Sequence, residues 1–173
     1  SDIAVFRLSP GELAFVIEGL KDGVTAAAPK VRREEFTEAV GLLLKARRDE
    51  RGASYLKIVA AEPGYVPHMG ILIKKVREGK GPLPQAADKV KIHYQATRMD
   101  GKVFESTLKK APISFKLDTV IRCWRQGIER MQVGGKTILV CPGDSAFGET
   151  GKPPHVGPGE VLTFEIELLA IEK

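Results

Sequence analysis

The spacing of apolar residues changes character once along this chain of 173 residues, at Glu62-Pro63-Gly64. Before that point they recur three and four apart, as on one face of a helix. After it they alternate, as on a strand with one buried side. The last segment is the clearest: Leu162, Phe164, Ile166 and Leu168 share one face, opposite Thr163, Glu165 and Glu167. Such a strand packs one face on a core and turns the other to water. Helices followed by strands predict an α+β chain, with an α-helical region over residues 1–63 and a sheet domain over 64–173.

The first helix carries its own start signals. Ser9, Pro10 and Glu12 place a cap, a first-turn proline and a capping-box acid in order. Leu13, Val16, Ile17 and Leu20 follow at helical spacing, and Gly23 is expected to supply a left-handed stop. A second helical pattern runs from about Val31 to Ala61, through Phe36, Val40, Leu43, Leu44, Tyr55, Leu56 and Val59. Its charged middle, Lys45 to Gly52, has no apolar stripe, so it reads as a solvent-crossing helix or a break at Gly52. Two such helices enclose little core alone. Their apolar faces are expected to meet a second copy of the chain, or else to fold back on the sheet domain.

Gly64 to Gly70 reads as a linker. Strands are expected over Gly70–Gly79, from Val90, over Lys102–Thr107, Ile113–Leu117, Lys136–Cys141 and Val161–Ile171. Asp100-Gly101 marks a hairpin turn. A short helix is expected over about Arg122–Met131. The result is a five- or six-segment antiparallel sheet with one short helix against its apolar face.

Charge and cysteines mainly exclude. Residues 1–63 hold ten basic and ten acidic side chains, so the whole net charge of +5 falls on the remainder, interleaved with acids. No basic arm or clustered positive face offers itself to nucleic acid. No apolar run approaches the roughly 20 residues of a membrane span. The opening Ser1-Asp2-Ile3-Ala4 is no signal or transit peptide, so an exported form would be expected with its leader already removed. Cys123 and Cys141, eighteen apart among apolar residues, form no redox or zinc motif and read as buried free thiols. His68, His93 and His155 show no metal-ligand spacing and read as structural or surface residues.

Aromatic residues are only 6% of the chain, yet Tyr94, Phe104, Phe115, Trp124, Phe147 and Phe164 all fall in its last eighty positions. No catalytic triad, metal cluster or phosphate loop accompanies them. An aromatic pocket without acid-base machinery suits apolar ligand binding or a conformational isomerisation. The plainer reading, that these rings are core, weighs most for Phe115 and Phe164.

The stretch Val90–Glu172 closely resembles the FKBP-type peptidyl-prolyl isomerase domain. The resemblance rests on Ile92-His93-Tyr94, Asp100-Gly101-Lys102-Val103-Phe104, Val120-Ile121-Arg122-Cys123-Trp124, Ala146-Phe147-Gly148 and Leu162-Thr163-Phe164-Glu165-Ile166-Glu167-Leu168-Leu169. It implies a twisted antiparallel sheet wrapped on one short helix. Glu18-Gly19-Leu20-Lys21-Asp22 and the long helix after it resemble the dimerisation region of Mip-like members. By resemblance, Trp124 is the pocket floor, and Tyr94, Phe104 and Phe164 are walls, with Glu105 and Phe147 completing the catalytic set. Ile113, Phe115, Val120, Ile121, His155 and Val156 would contact substrate or macrolide, with the Ile121 N–H donating to a substrate carbonyl. Phe147 and Val156 would sit in a flap between the last two strands.

The same resemblance implies proline-containing polypeptides as substrates, rapamycin-like macrolides as inhibitors, a homodimer through residues 1–63 and a periplasmic or exported location, with the cytoplasm as alternative. It requires no cofactor or metal. Rotation about X–Pro faces a barrier of about 18–20 kcal/mol, because resonance keeps the amide planar. A dry aromatic pocket favours the less polar twisted amide. This chain departs from the family pattern at four places: Glu105 for Asp, Ile113 for an aromatic, Cys123 for Gly and Phe147 for Tyr. Phe147 lacks the hydroxyl of the usual tyrosine, and with it one hydrogen bond worth about 0.5–1.5 kcal/mol. Reduced activity, or a non-catalytic binding module or chaperone, is therefore the alternative expectation.

Overall fold

The computed structural model describes residues 8–25 and 37–172, as two compact units divided between Glu50 and Arg51. Val31, Phe36 and the opening Ser1-Asp2-Ile3-Ala4 lie outside the described residues.

In the first unit, helix α1 spans Pro10–Val24 and α2 (Thr37–Ala60) begins. The capping box forms as the sequence requires. The Ser9 backbone N–H donates to Glu12 Oε2 at 2.8 Å, and the Ser9 hydroxyl accepts from the Glu12 N–H at 3.4 Å. Arg47 ties the two helices by donating to Glu12 Oε1 at 2.6 Å. The expected stop at Gly23 does not occur: Gly23 lies inside α1, and Thr25 caps the helix with φ −86°. The Thr25 hydroxyl and N–H both donate to the Lys21 carbonyl, satisfying an end that otherwise calls for glycine. Helix α1 buries none of its residues, leaving Phe15, Leu20 and Val24 exposed.

The second unit is a seven-stranded antiparallel sheet with one short helix. The strands are β1 (Tyr65–His68), β2 (Ile71–Arg77), β3 (Lys89–Arg98), β4 (Val103–Ser106), β5 (Ile113–Lys116), β6 (Lys136–Cys141) and β7 (Leu162–Glu172). Helix α3 spans Arg122–Ile128. The spatial order is β1-β2-β6-β7-β3-β4, and β5 shares with β4 the outer edge of β3. Gln95–Thr97 of β3 pairs with β4 while Lys89–Ile92 pairs with β5. Between β3 and β4, Gly101 takes φ +81° in the turn that Asp100-Gly101 signalled.

The seventh strand is β1, in the stretch read as a linker. Tyr65 pairs with Lys74 and Val66 with Ile73. Pro67 lacks an N–H, and the strand accommodates it by lying at the sheet edge.

One face of the sheet packs on α3, which buries Cys123, Trp124, Gly127 and Ile128 against Ile92, Leu139, Phe164, Ile166 and Leu168. The other face is not left wholly to water, as the alternation alone suggested. Tyr55, Leu56 and Val59 of α2 pack there with Leu72, Val140 and Val161. Gly52 does not break α2. It is buried, and a Cβ on it would lie 3.1 Å from Val161 Cγ2, so the glycine permits close approach of helix to sheet. Among the described residues no helix is long and apolar enough to cross a membrane.

The cysteines are not free thiols. Cys123 and Cys141 form a disulfide with Cα atoms 5.8 Å apart, fastening the start of α3 to the end of β6. Both are fully buried. The spacing of eighteen carried no sign of this, because the packing of α3 on β6 brings them together.

Candidate functional site

Helix α3 starts at the sheet, and its third residue is Trp124. Short α3 buries residues one, four and five apart (Cys123, Trp124, Gly127 and Ile128), so a single face holds the indole against the sheet. Gly127 is what lets it settle: a Cβ there would run into the Leu139 side chain.

Three rings surround the indole. Tyr94 on β3 meets it edge-on, with centroids 4.9 Å apart and planes at 72°. Phe164 on β7 does the same at 5.3 Å and 89°. Phe115 on β5 lies at 5.4 Å, tilted by 39°. Edge-to-face contacts of this kind contribute about 0.5–1.5 kcal/mol each beyond area burial. Trp124 keeps 8% of its surface exposed, and its Nε1–H is buried with no hydrogen-bond partner. An unpaired buried donor costs about 1–3 kcal/mol, which a carbonyl or other acceptor brought to the indole would relieve.

Phe104, Val120, Ile121 and Phe147 are partly buried and pack against the same core, and Val156 is buried in it. Ile121 is the N-cap of α3, without a side-chain cap, where a helix leaves backbone N–H groups unpaired. Two expected contact residues stand apart from this cluster. Ile113, at the start of β5, is 36% exposed. His155 is exposed on the loop between β6 and β7, where its carbonyl accepts from Arg98 at 3.5 Å.

The polar side of the site is one carboxylate. Glu105 on β4 accepts a hydrogen bond at 2.9 Å from Lys152 Nζ on the β6–β7 loop. Burial first, then the Glu105 hydrogen bond and charge, push the Tyr94 phenol far above its usual range. The phenol therefore stays protonated well into the alkaline range. Burial also pushes Glu105 up, but hydrogen bonds from Lys152 and Tyr94, with the Lys152 and Lys110 charges, outweigh it and hold the carboxyl below its usual range.

Thr107 and Lys152 were not found from the sequence. The Thr107 hydroxyl accepts from the Tyr94 N–H at 2.9 Å and lies 3.1 Å from His93 Nδ1. It pins the backbone behind the Tyr94 ring. Its only sequence signal is its place just past the end of β4. Among the described residues no group of three or more His, Cys, Asp or Glu could hold a metal.

The family model for FKBP-type peptidyl-prolyl cis-trans isomerases matches residues 81–169. The chain is 35% identical to the FKBP-type isomerase FkpA of Escherichia coli (strain K12), over 73% of this chain and 47% of that one. It is 33% identical to the peptidyl-prolyl cis-trans isomerase Mip of Coxiella burnetii, over 60% of this chain and 46% of that one. The chain thus spans about half the length of the curated relatives it matches. The crystal structure of Escherichia coli FkpA superposes with a TM-score of 0.69 at 28% identity, covering 96% of this chain and 84% of that one. With helices before an antiparallel sheet, Trp124 opening the helix on that sheet and a matching family model over half its length, the chain belongs to the FKBP-type peptidyl-prolyl cis-trans isomerase family.

Proposed function

We propose that the chain is a peptidyl-prolyl cis-trans isomerase acting on proline-containing polypeptides as a folding factor. The observation that carries this is the enclosure of Trp124 by Tyr94, Phe115 and Phe164. The prolyl ring packs over the indole, with Phe104 and Phe147 beside it and Val120, Ile121 and Val156 at the rim. The Ile121 N–H receives the substrate carbonyl. As the amide twists it loses resonance and polarity, and an apolar surround stabilises that state over the planar one. Each tenfold acceleration needs about 1.4 kcal/mol of that preference. Ile113 and His155 serve an extended chain or a macrolide at the margin.

A refolding protein limited by a slow prolyl phase tests this. The wild type is expected to shorten the slow phase, and Trp124→Ala to lose at least about tenfold of the effect. If both leave the slow phase untouched, the catalytic reading fails and a binding module remains.

The exposed apolar residues of the helical unit support a further role. Phe15 is 77% and Leu20 60% exposed. Such a surface suits a homodimer through residues 1–63, or a chaperone surface in that region alongside the isomerase domain of 64–173. Sedimentation is expected to give a dimer at tens of micromolar protein, and a monomer there counts against it. The Cys123–Cys141 disulfide supports an exported, periplasmic location over the cytoplasm, where thiols are kept reduced.

A further inference from the structure

The β6–β7 loop is fastened at two levels around Lys152. Its backbone is fixed: Lys152 and Val156 exchange two hydrogen bonds of 3.0 Å, His155 N–H donates to the Lys152 carbonyl at 3.1 Å, and Gly151 N–H donates to the Phe147 carbonyl at 3.1 Å. Val156 is buried in the core at the foot of this turn. The Lys152 side chain then leaves the loop. Its ammonium sits 5.7 Å from the centre of the Phe147 ring and ends on Glu105 Oε2 at 2.9 Å, forty-seven residues away in sequence. One ion pair therefore connects β4 to the loop, and its ammonium also faces the loop ring Phe147. Arg98, donating to the His155 carbonyl at 3.5 Å, adds a weaker tether on the same side.

We propose that the Lys152–Glu105 ion pair is a latch that holds the loop against the pocket wall, and that Lys152 is a positioning residue which sets how tightly a prolyl chain is held. The proposal rests on the isomerase reading for its consequence in turnover. Its structural content, an ion pair that fastens the loop to β4, does not. Lys152 acts through Phe147 and Glu105 and needs no contact with the reacting bond. Both partners are about half exposed, at 48% and 43%. The pair is thus of the class whose removal shifts an equilibrium by about twofold to fivefold. It is also of the class that salt weakens.

The experiment compares wild type, Lys152→Met and Lys152→Arg. Hydrogen exchange is read first, because it needs no ligand. In Lys152→Met the Val156 amide is expected to exchange about threefold faster, the Ile166 amide in β7 to be unchanged, and Lys152→Arg to restore protection. High salt is expected to speed Val156 exchange in the wild type but not in Lys152→Met. In turnover of an X–Pro peptide, Lys152→Met is expected to raise KM about threefold with kcat nearly unchanged. Unaltered Val156 exchange in Lys152→Met, or no rescue by arginine, overturns the latch. So does a fall in kcat at constant KM. A wild type without turnover defeats the isomerase reading alone, and the exchange result still decides the latch.

Discussion

Reducing the Cys123–Cys141 disulfide tests how the floor of the site is held. The bond closes a segment of eighteen residues, from the start of α3, adjacent to Trp124, to the end of β6. In the chain-entropy treatment, a closed loop of that length restricts the unfolded chain by about 3 kcal/mol at 25 °C. Both sulfurs are fully buried, and Cys141 pairs with Leu162 of β7, so the native state has little room to relax when the bond is cut. Urea unfolding of oxidised and reduced protein, followed by the fluorescence of the single tryptophan, reads the difference. With a slope of about 1–3 kcal/mol per molar urea, the midpoint is expected to fall by roughly 1–3 M on reduction. Alkylation of the unfolded, unreduced protein should label neither cysteine. A midpoint shift under about 0.5 M would refute the reasoning, as would two labelled thiols before reduction.

Gly127→Ala drives a methyl into the buried Leu139 side chain. Despite the better helix propensity of alanine, it is expected to lower stability by about 1–3 kcal/mol in denaturant unfolding. Tyr94 is expected to resist ionisation in an alkaline absorbance titration, because burial and Glu105 both disfavour its phenolate. A phenol raised in the fold contributes stability that is complete below the unfolded tyrosine range near 10 and is lost as pH rises above it. Glu105→Gln should bring that titration earlier. Glu105 itself has the opposite sign: its contribution is complete above the ordinary glutamate range and is lost only as pH falls below it, so Val156 protection should persist at pH 5 and decline in stronger acid.

Much of this fold was legible because it is local. The Ser9–Glu12 cap, the Asp100-Gly101 turn and the alternation of β7 each depend on residues a few positions apart, and all three form. What was not legible depends on tertiary neighbours. Gly52 looks like a helix breaker until Val161 is seen against it. The linker around Pro67 becomes a strand only because β2 offers it an edge. The cysteines looked inert because α3 and β6 meet only in three dimensions. In the site, the rings could be named from resemblance, since the aromatics are few and late in the chain. Their polar support could not. Lys152 reaches Glu105 across forty-seven residues, and Thr107 is a lone threonine until its hydroxyl meets the Tyr94 N–H.

The most direct measurement is NMR exchange between the cis and trans resonances of an X–Pro peptide with a catalytic amount of this protein. Uncatalysed, the two forms interchange over tens to hundreds of seconds and show no exchange peaks. With the protein present, exchange peaks are expected, and a saturating rapamycin-like macrolide that quenches Trp124 is expected to abolish them. Absence of exchange with folded protein would contradict a prolyl isomerase site around Trp124, and so would exchange that persists with the macrolide bound.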